Sequence, residues 1–91
     1  MDTNLDRRQR EIDLDAQLGS HLARLRERAG LKQEDVALQL GFTRTVISKL
    51  EHGQRKLYAM EIPDYARALQ VSPSVLFSTI ERISTEYDSS K

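Results

Sequence analysis

Gln33-Glu34-Asp35-Val36-Ala37-Leu38-Gln39-Leu40-Gly41-Phe42-Thr43-Arg44-Thr45-Val46-Ile47-Ser48-Lys49-Leu50-Glu51-His52 is the stretch that decides how this chain folds. Val36, Ala37 and Leu40 fall on one stripe, and Val46, Ile47 and Leu50 on another, so each half is a helix with a single apolar face. Gly41 stands between them, where a chain leaving a helix turns through left-handed angles that only Gly adopts at little cost. The small Ala37 lets the two helices approach, Phe42 fills the corner, and Thr43 is placed to cap the second helix. The two apolar stripes can meet only if the helices cross steeply over a tight turn. Left outward on the second helix are Arg44, Thr45, Ser48 and Lys49. Donors and small hydroxyls of this kind read base edges in the major groove of DNA.

Outward from this helix-turn-helix pattern, residues 33–52, the periodicity predicts an all-α fold of five helices. Helix 1 is expected from about Ala16 to Ala29, capped by Asp13 or Asp15, with the stripe Leu18, Leu22, Leu25 and Ala29 and a stop at Gly30. Glu34 and Asp35 suit the positive end of the second helix, although Lys32 stands where a hydroxyl cap would be better. The third helix stops at Gly53. A fourth begins near Glu61 with Pro63 in its first turn, burying Ile62, Tyr65, Ala66 and Leu69, and Ser72-Pro73 starts a fifth. Residues 1–15 are expected as an N-terminal arm, partly disordered or packed on the domain. The domain itself is placed at 16–83, and 84–91 as a frayed tail.

The fifth helix is longer than a small core requires, with Leu76, Ile80, Ile83 and Tyr87 on one face. Phe77, Ile80 and Ile83 are assigned to a homodimer interface with the same helix of a second subunit. The alternative is packing within the chain against Leu5, Ile12 and Leu14.

Composition narrows the function classes. Ninety-one residues make one domain, with no room for a separate ligand-sensing domain. Cys is absent, which excludes disulfides and thiolate metal sites and fits a reducing cytoplasm. No apolar run is long enough to span a membrane, and the N-terminus, with Arg7, Arg8 and Arg10 among acids, is no signal peptide. His21 and His52 lack the carboxylates of a metal site, and neither Ser20-His21 nor Glu51-His52 makes a catalytic set. No enzyme activity, metal or cofactor is therefore expected.

Net charge is zero, yet it is unevenly spread. Residues 1–16 hold three basic and five acidic side chains, residues 17–57 eight and four, and residues 58–91 three and five. The positive excess is confined to the helix-turn-helix and its flanks, so a neutral chain can still present a basic face to phosphate.

The stretch from Leu18 to Phe77, about two thirds of the chain, resembles the phage repressor and Cro type of helix-turn-helix domain, the Xre-like group. The resemblance is carried by Leu22, Leu25, Arg26 and Gly30-Leu31, by Gln33 and Ala37, by Ile47-Ser48 and Leu50-Glu51, and by Ile62-Pro63, Ala66-Arg67-Ala68-Leu69 and Val71-Ser72. Gln70 departs from it, standing where the group commonly has glycine.

The resemblance implies that the third helix enters the major groove while the second crosses the backbone. Arg44, Thr45 and Lys49 match its base-contacting places, with Ser48 a further candidate. Gln33 matches a residue that binds phosphate and braces the reading helix. Gly53, Arg55 and Lys56 would hold the DNA backbone, with Lys32 and Thr43 as additional phosphate contacts. Arg26 and Glu51 match a largely buried ion pair. The implied function is a sequence-specific transcriptional regulator, a dimeric repressor or autoregulator on a twofold operator of double-stranded DNA. It would be bacterial or phage-encoded and cytoplasmic, with half-sites about 34 Å apart. The alternative is an antitoxin or adaptor that holds a protein partner.

Overall fold

The computed structural model describes residues 3–90, with side chains from Asp6 onward. Five α-helices follow one another: α1 (Thr3–Arg28), α2 (Gln33–Leu40), α3 (Arg44–Glu51), α4 (Ile62–Ala68) and α5 (Pro73–Ser89), with a 3-10 turn at Ala59–Glu61 leading into α4. No strand occurs among the described residues.

Leu22 of α1, Val36 and Ala37 of α2, Ile47 and Leu50 of α3, Tyr65 and Leu69 of α4 and Leu76 of α5 form one buried core. The turn between α2 and α3 follows the expected chemistry. Gly41 takes φ +71°, and the Phe42 N–H reaches back to the Ala37 carbonyl at 2.9 Å, which closes the end of α2. Thr43 then caps α3, its hydroxyl accepting the Val46 N–H at 3.3 Å. Lys32 offers α2 no acceptor, and the cap is supplied in reverse: the Asp35 carboxylate accepts the Lys32 N–H at 2.8 Å. At the end of α4, Gln70 adopts φ +63°, so the usual glycine bend is made here by a residue that carries a Cβ.

A close approach absent from the sequence reading joins α1 to α3. A Cβ at Gly19 would lie 2.5 Å from the Glu51 carbonyl oxygen and 2.6 Å from that of Leu50. Only glycine lets the α1 backbone rest on the end of α3.

The two ends of the chain depart from expectation. Residues 3–15 are packed on the domain, one of the two expected alternatives, but as a continuation of α1, which runs unbroken from Thr3, and Asp13 and Asp15 lie within it instead of capping it. The tail from 84 onward is helical as far as Ser89. These extensions hold each other. Arg10 grips Asp88 with Nε and Nη2 at 3.1 and 3.0 Å, and the Tyr87 hydroxyl donates to Asp13 at 2.7 Å. Ile83 is 4% exposed, so its burial is within the chain and it is not free to form a dimer contact. Ile80 and Ile83 line an apolar groove with Leu14 and Leu18 of α1, while Ile12 remains largely exposed and the side chain of Leu5 lies outside the described residues. Phe77, half exposed, remains available on α5.

Candidate nucleic-acid interface

The outward side of α3 follows from its apolar side. At about 100° per residue, buried Ile47 and Leu50 and half-buried Val46 fix one face, and Arg44, Ser48, His52, Thr45 and Lys49 fall in an arc of about 140° on the other. Arg44, Thr45, Lys49 and His52 are exposed and Ser48 is half-buried. Lys49 makes no ion pair or side-chain hydrogen bond among the described residues, and neither does Lys32 at the start of α2. Arg44 touches Glu34 through Nε at 2.8 Å, but both side chains are more than half exposed. A pair so open to water is worth little and opens easily, leaving the guanidinium fork for another acceptor. His52 turns its Nδ1 to the Ser48 carbonyl at 2.7 Å, which aims the other ring nitrogen away from the helix.

Behind this face is a polar brace. Arg26 of α1 meets Glu51 of α3 in a two-pronged ion pair, Nε to Oε2 at 2.6 Å and Nη2 to Oε1 at 3.0 Å, with the two side chains 15% and 5% exposed. Nη1 of Arg26 donates to the Leu31 carbonyl at 2.8 Å, and the Gln33 amide adds a third donor to Glu51 at 2.9 Å. The hydrogen bonds to Glu51 push the Arg26 pKa up, more than its burial pulls it down. One carboxylate thus ties α1, α2 and α3 together and fixes how the outward arc is presented. Gln33 keeps one amide proton free, and the Thr43 hydroxyl, an acceptor for Val46, keeps its own proton to give.

The loop after α3 carries the other predicted phosphate contacts, and here the structure gives them partners within the chain. Arg55 forms a two-pronged pair with Glu61, Nη1 to Oε1 at 2.6 Å and Nη2 to Oε2 at 3.0 Å, and donates to the Lys56 carbonyl. Its guanidinium stands 5.1 Å from the ring centres of both Phe42 and Tyr58. Lys56 reaches Asp15 at 2.8 Å and Glu11 at 3.2 Å on α1. Gly53 gives its N–H to the Leu50 carbonyl at 3.2 Å and packs on the backbone of Ala16. Glu61 is the residue the sequence reading missed. Its spacing from Arg55 corresponds to no helical pair, so only the turn at 59–61 brings the two together. Among the described residues no group of His, Asp or Glu could hold a metal ion, and no helix is long and apolar enough to cross a membrane.

A sequence model described as a helix-turn-helix domain matches residues 17–76. The chain belongs to that family. It is the Xre-type group to which the motif residues pointed, and the early part of α1 and the later part of α5 lie outside the matched stretch. An uncharacterized HTH-type transcriptional regulator of Sinorhizobium fredii is 39% identical over 61 residues, covering 67% of this chain and 79% of that protein. Among solved structures, the restriction-modification controller protein C.AhdI from Aeromonas hydrophila is 36% identical. It covers 70% of this chain and 96% of its own, with a TM-score of 0.63. The controller protein C.Esp1396I, solved as a tetramer in complex with its natural 35 base-pair operator, is 27% identical and covers 77% of this chain and 92% of its own, with a TM-score of 0.67.

Proposed function

We propose that the chain is a sequence-specific regulator of transcription that lays α3 in the major groove of operator DNA and works as a homodimer on two half-sites. The observation that carries this reading is the outward arc of α3. In a chain of zero net charge that ties Arg26, Arg55 and Lys56 around this face to its own carboxylates, Lys49 and Lys32 stay free and Arg44 is held only by an exposed carboxylate. Arg44 would take guanine O6 and N7 with two N–H groups, Lys49 a guanine or a phosphate, and the Thr45 methyl a thymine methyl, with Ser48 beside them. Lys32, the free proton of Gln33 and the Thr43 hydroxyl would hold phosphates around the start of α2 and α3. Gly53, Arg55 and Lys56 serve the fold first in this reading, since the Gly53 N–H is taken and Arg55 and Lys56 are each held by carboxylates of the chain.

Recognition of this kind is binding without catalysis, and its place is the cytoplasm of a bacterial cell. The likeness to two restriction-modification controller proteins supports control of such a gene pair as the task, and the operator-bound C.Esp1396I tetramer supports assembly on DNA. In this chain the assembly surface is the edge of α5 bearing Phe77 and Ile80. Selection of bound sites from a random DNA pool tests the reading: enrichment of a motif with two symmetry-related halves is expected, and failure to enrich any motif overturns it. Phe77→Glu should leave the helical content intact and abolish the dimer in sedimentation. An unchanged dimer would move the interface elsewhere.

A further inference from the structure

A second basic site lies between α1 and α5, where His21, Arg24 and Arg28 of α1 face Arg82 of α5 across a cleft of about 410 Å³ floored by Leu25 and Thr79. Six cations of this chain meet a carboxylate closely: Arg10, Arg26, Arg44, Arg55, Lys56 and Arg67 all do so at 3.2 Å or less. Arg24 and Arg28 meet none among the described residues, and Arg82 reaches Glu86 only at 4.0 Å with both side chains exposed. Three guanidinium groups and an imidazole therefore converge on one concave surface, with Glu81 and Glu86 of α5 at its edge beside Arg82. Such crowding of like charge is unfavourable unless an anion is present to relieve it.

Duplex DNA held by α3 does not reach this cleft. Gly19 and Arg26 mark the side of α1 that meets α3. At about 100° per residue, His21, Arg24 and Arg28 point to the opposite side. The cleft is thus separate from the outward arc of α3, and its volume is within the range of small-ligand sites.

We propose that this cleft binds a compact small molecule carrying two or more phosphate groups, a nucleoside polyphosphate or an inorganic polyphosphate. Guanidinium forks match phosphate oxygens two at a time, and three forks set around one hollow suit adjoining phosphates better than a single carboxylate. A hollow of about 410 Å³ enclosed between two helices suits a compact polyanion better than an extended acidic peptide. Thr79 serves as floor only, its hydroxyl proton being held by the Val75 carbonyl at 2.9 Å. His21 supplies an internal reporter. Its pKa is lowered first by burial and then by Arg24, with Arg82 and Arg28 acting in the same direction and Glu86 opposing. An anion seated among these arginines would raise it.

The test is titration of the full chain, followed by two-dimensional NMR at constant ionic strength, with ATP free of magnesium, with tripolyphosphate and with a short oligoglutamate. Saturable shifts confined to residues of α1 and α5 around the cleft, with a rise in the His21 pKa, are expected with ATP or tripolyphosphate. Tighter binding of ATP would make the ligand a nucleotide, and equal binding would make it the polyphosphate group alone. The Arg24→Gln, Arg28→Gln double variant, whose altered side chains are solvent-exposed, should bind about tenfold or more weakly. Its operator affinity should be unchanged, which separates failure here from failure of the DNA reading. Shifts that never saturate, that map to α2 and α3, or that persist in the double variant would overturn the proposal. So would saturable binding of oligoglutamate alone, which would make the cleft a protein-docking site.

Discussion

Arg44 and Lys49 on α3 and Arg55 and Lys56 in the loop behind it are equivalent in the sequence, four cations in a basic stretch of residues 44–56. In the fold they are opposites. Arg44 has one exposed partner and Lys49 has none, whereas Arg55 is clamped by Glu61 between two aromatic rings and Lys56 is shared by Asp15 and Glu11. What separates the pairs is how firmly carboxylates from other elements hold the cation: Glu34 reaches Arg44 from α2 through one contact open to water, whereas Glu61 is three-quarters buried against Arg55 and Lys56 has two carboxylates. Glu61 arrives on the 3-10 turn, and Glu11 and Asp15 arrive on the extended α1. A cation with such a partner holds the fold together, and one without is available to a polyanion.

The sharpest way to break this distinction is at its most inward member. Arg26→Ala would strand the Glu51 carboxylate, 5% exposed, and leave the Gln33 amide as its one remaining side-chain donor. Unfolding by urea should show a loss of about 3 to 5 kcal/mol. Replacing both partners by apolar residues of similar size should recover much of it, since the penalty comes from the unpaired charge. A single variant with unchanged midpoint would mean that water already reaches Glu51.

Arg44→Ala tests the outward class. Operator affinity should fall by about 1 to 3 kcal/mol, with preference relaxed at one base pair, while stability changes by less than about 0.5 kcal/mol. Equal weakening on every DNA sequence would demote Arg44 to a phosphate contact.

Arg55→Ala is the counterpart from the loop. Stability should drop by about 1 to 2 kcal/mol through the lost clamp and ring contacts, and the dependence of operator affinity on salt should keep its slope. A slope flattened by about one unit would show that Arg55 also neutralises a phosphate.

The same division explains what could be read in advance. The helix-turn-helix was legible almost to the residue because its signals are local: Gly41 after Leu40, Thr43 before Arg44, and apolar stripes that close over one or two turns. Arg26 and Glu51 were legible through the resemblance alone, since 25 residues separate them and no periodicity connects them. The start of α1 was misplaced because Asp13 and Asp15 look like caps when only neighbours are considered. Their partners are Tyr87 and Lys56, 74 and 41 residues away. Ile83 was misassigned for a related reason, as an apolar face does not say whether a second copy or the chain's own first helix covers it.

Glu61 gives the finest test of the comparison. Its pKa is held below the usual glutamate value, first by hydrogen bonds from Arg55, which outweigh the opposing effect of burial, and to a lesser degree by the Tyr58 N–H. A carboxylate depressed in the folded state contributes stability that is present above its unfolded pKa, about 4.3, and lost as pH falls through the lower folded value. Acid should therefore loosen the Arg55 clamp below about pH 4, and Glu61→Gln should remove that part of the pH dependence. The effect should be below about 1 kcal/mol, because about a quarter of each side chain remains exposed and water screens the pair. Measuring urea midpoints of both proteins between neutral pH and about pH 3 separates the outcomes. Curves that converge as the carboxylate is protonated place Arg55 among the structural cations. Curves that stay parallel would mean that Glu61 is no anchor in solution, and Arg55 would rejoin Arg44 and Lys49 as a charge open to DNA.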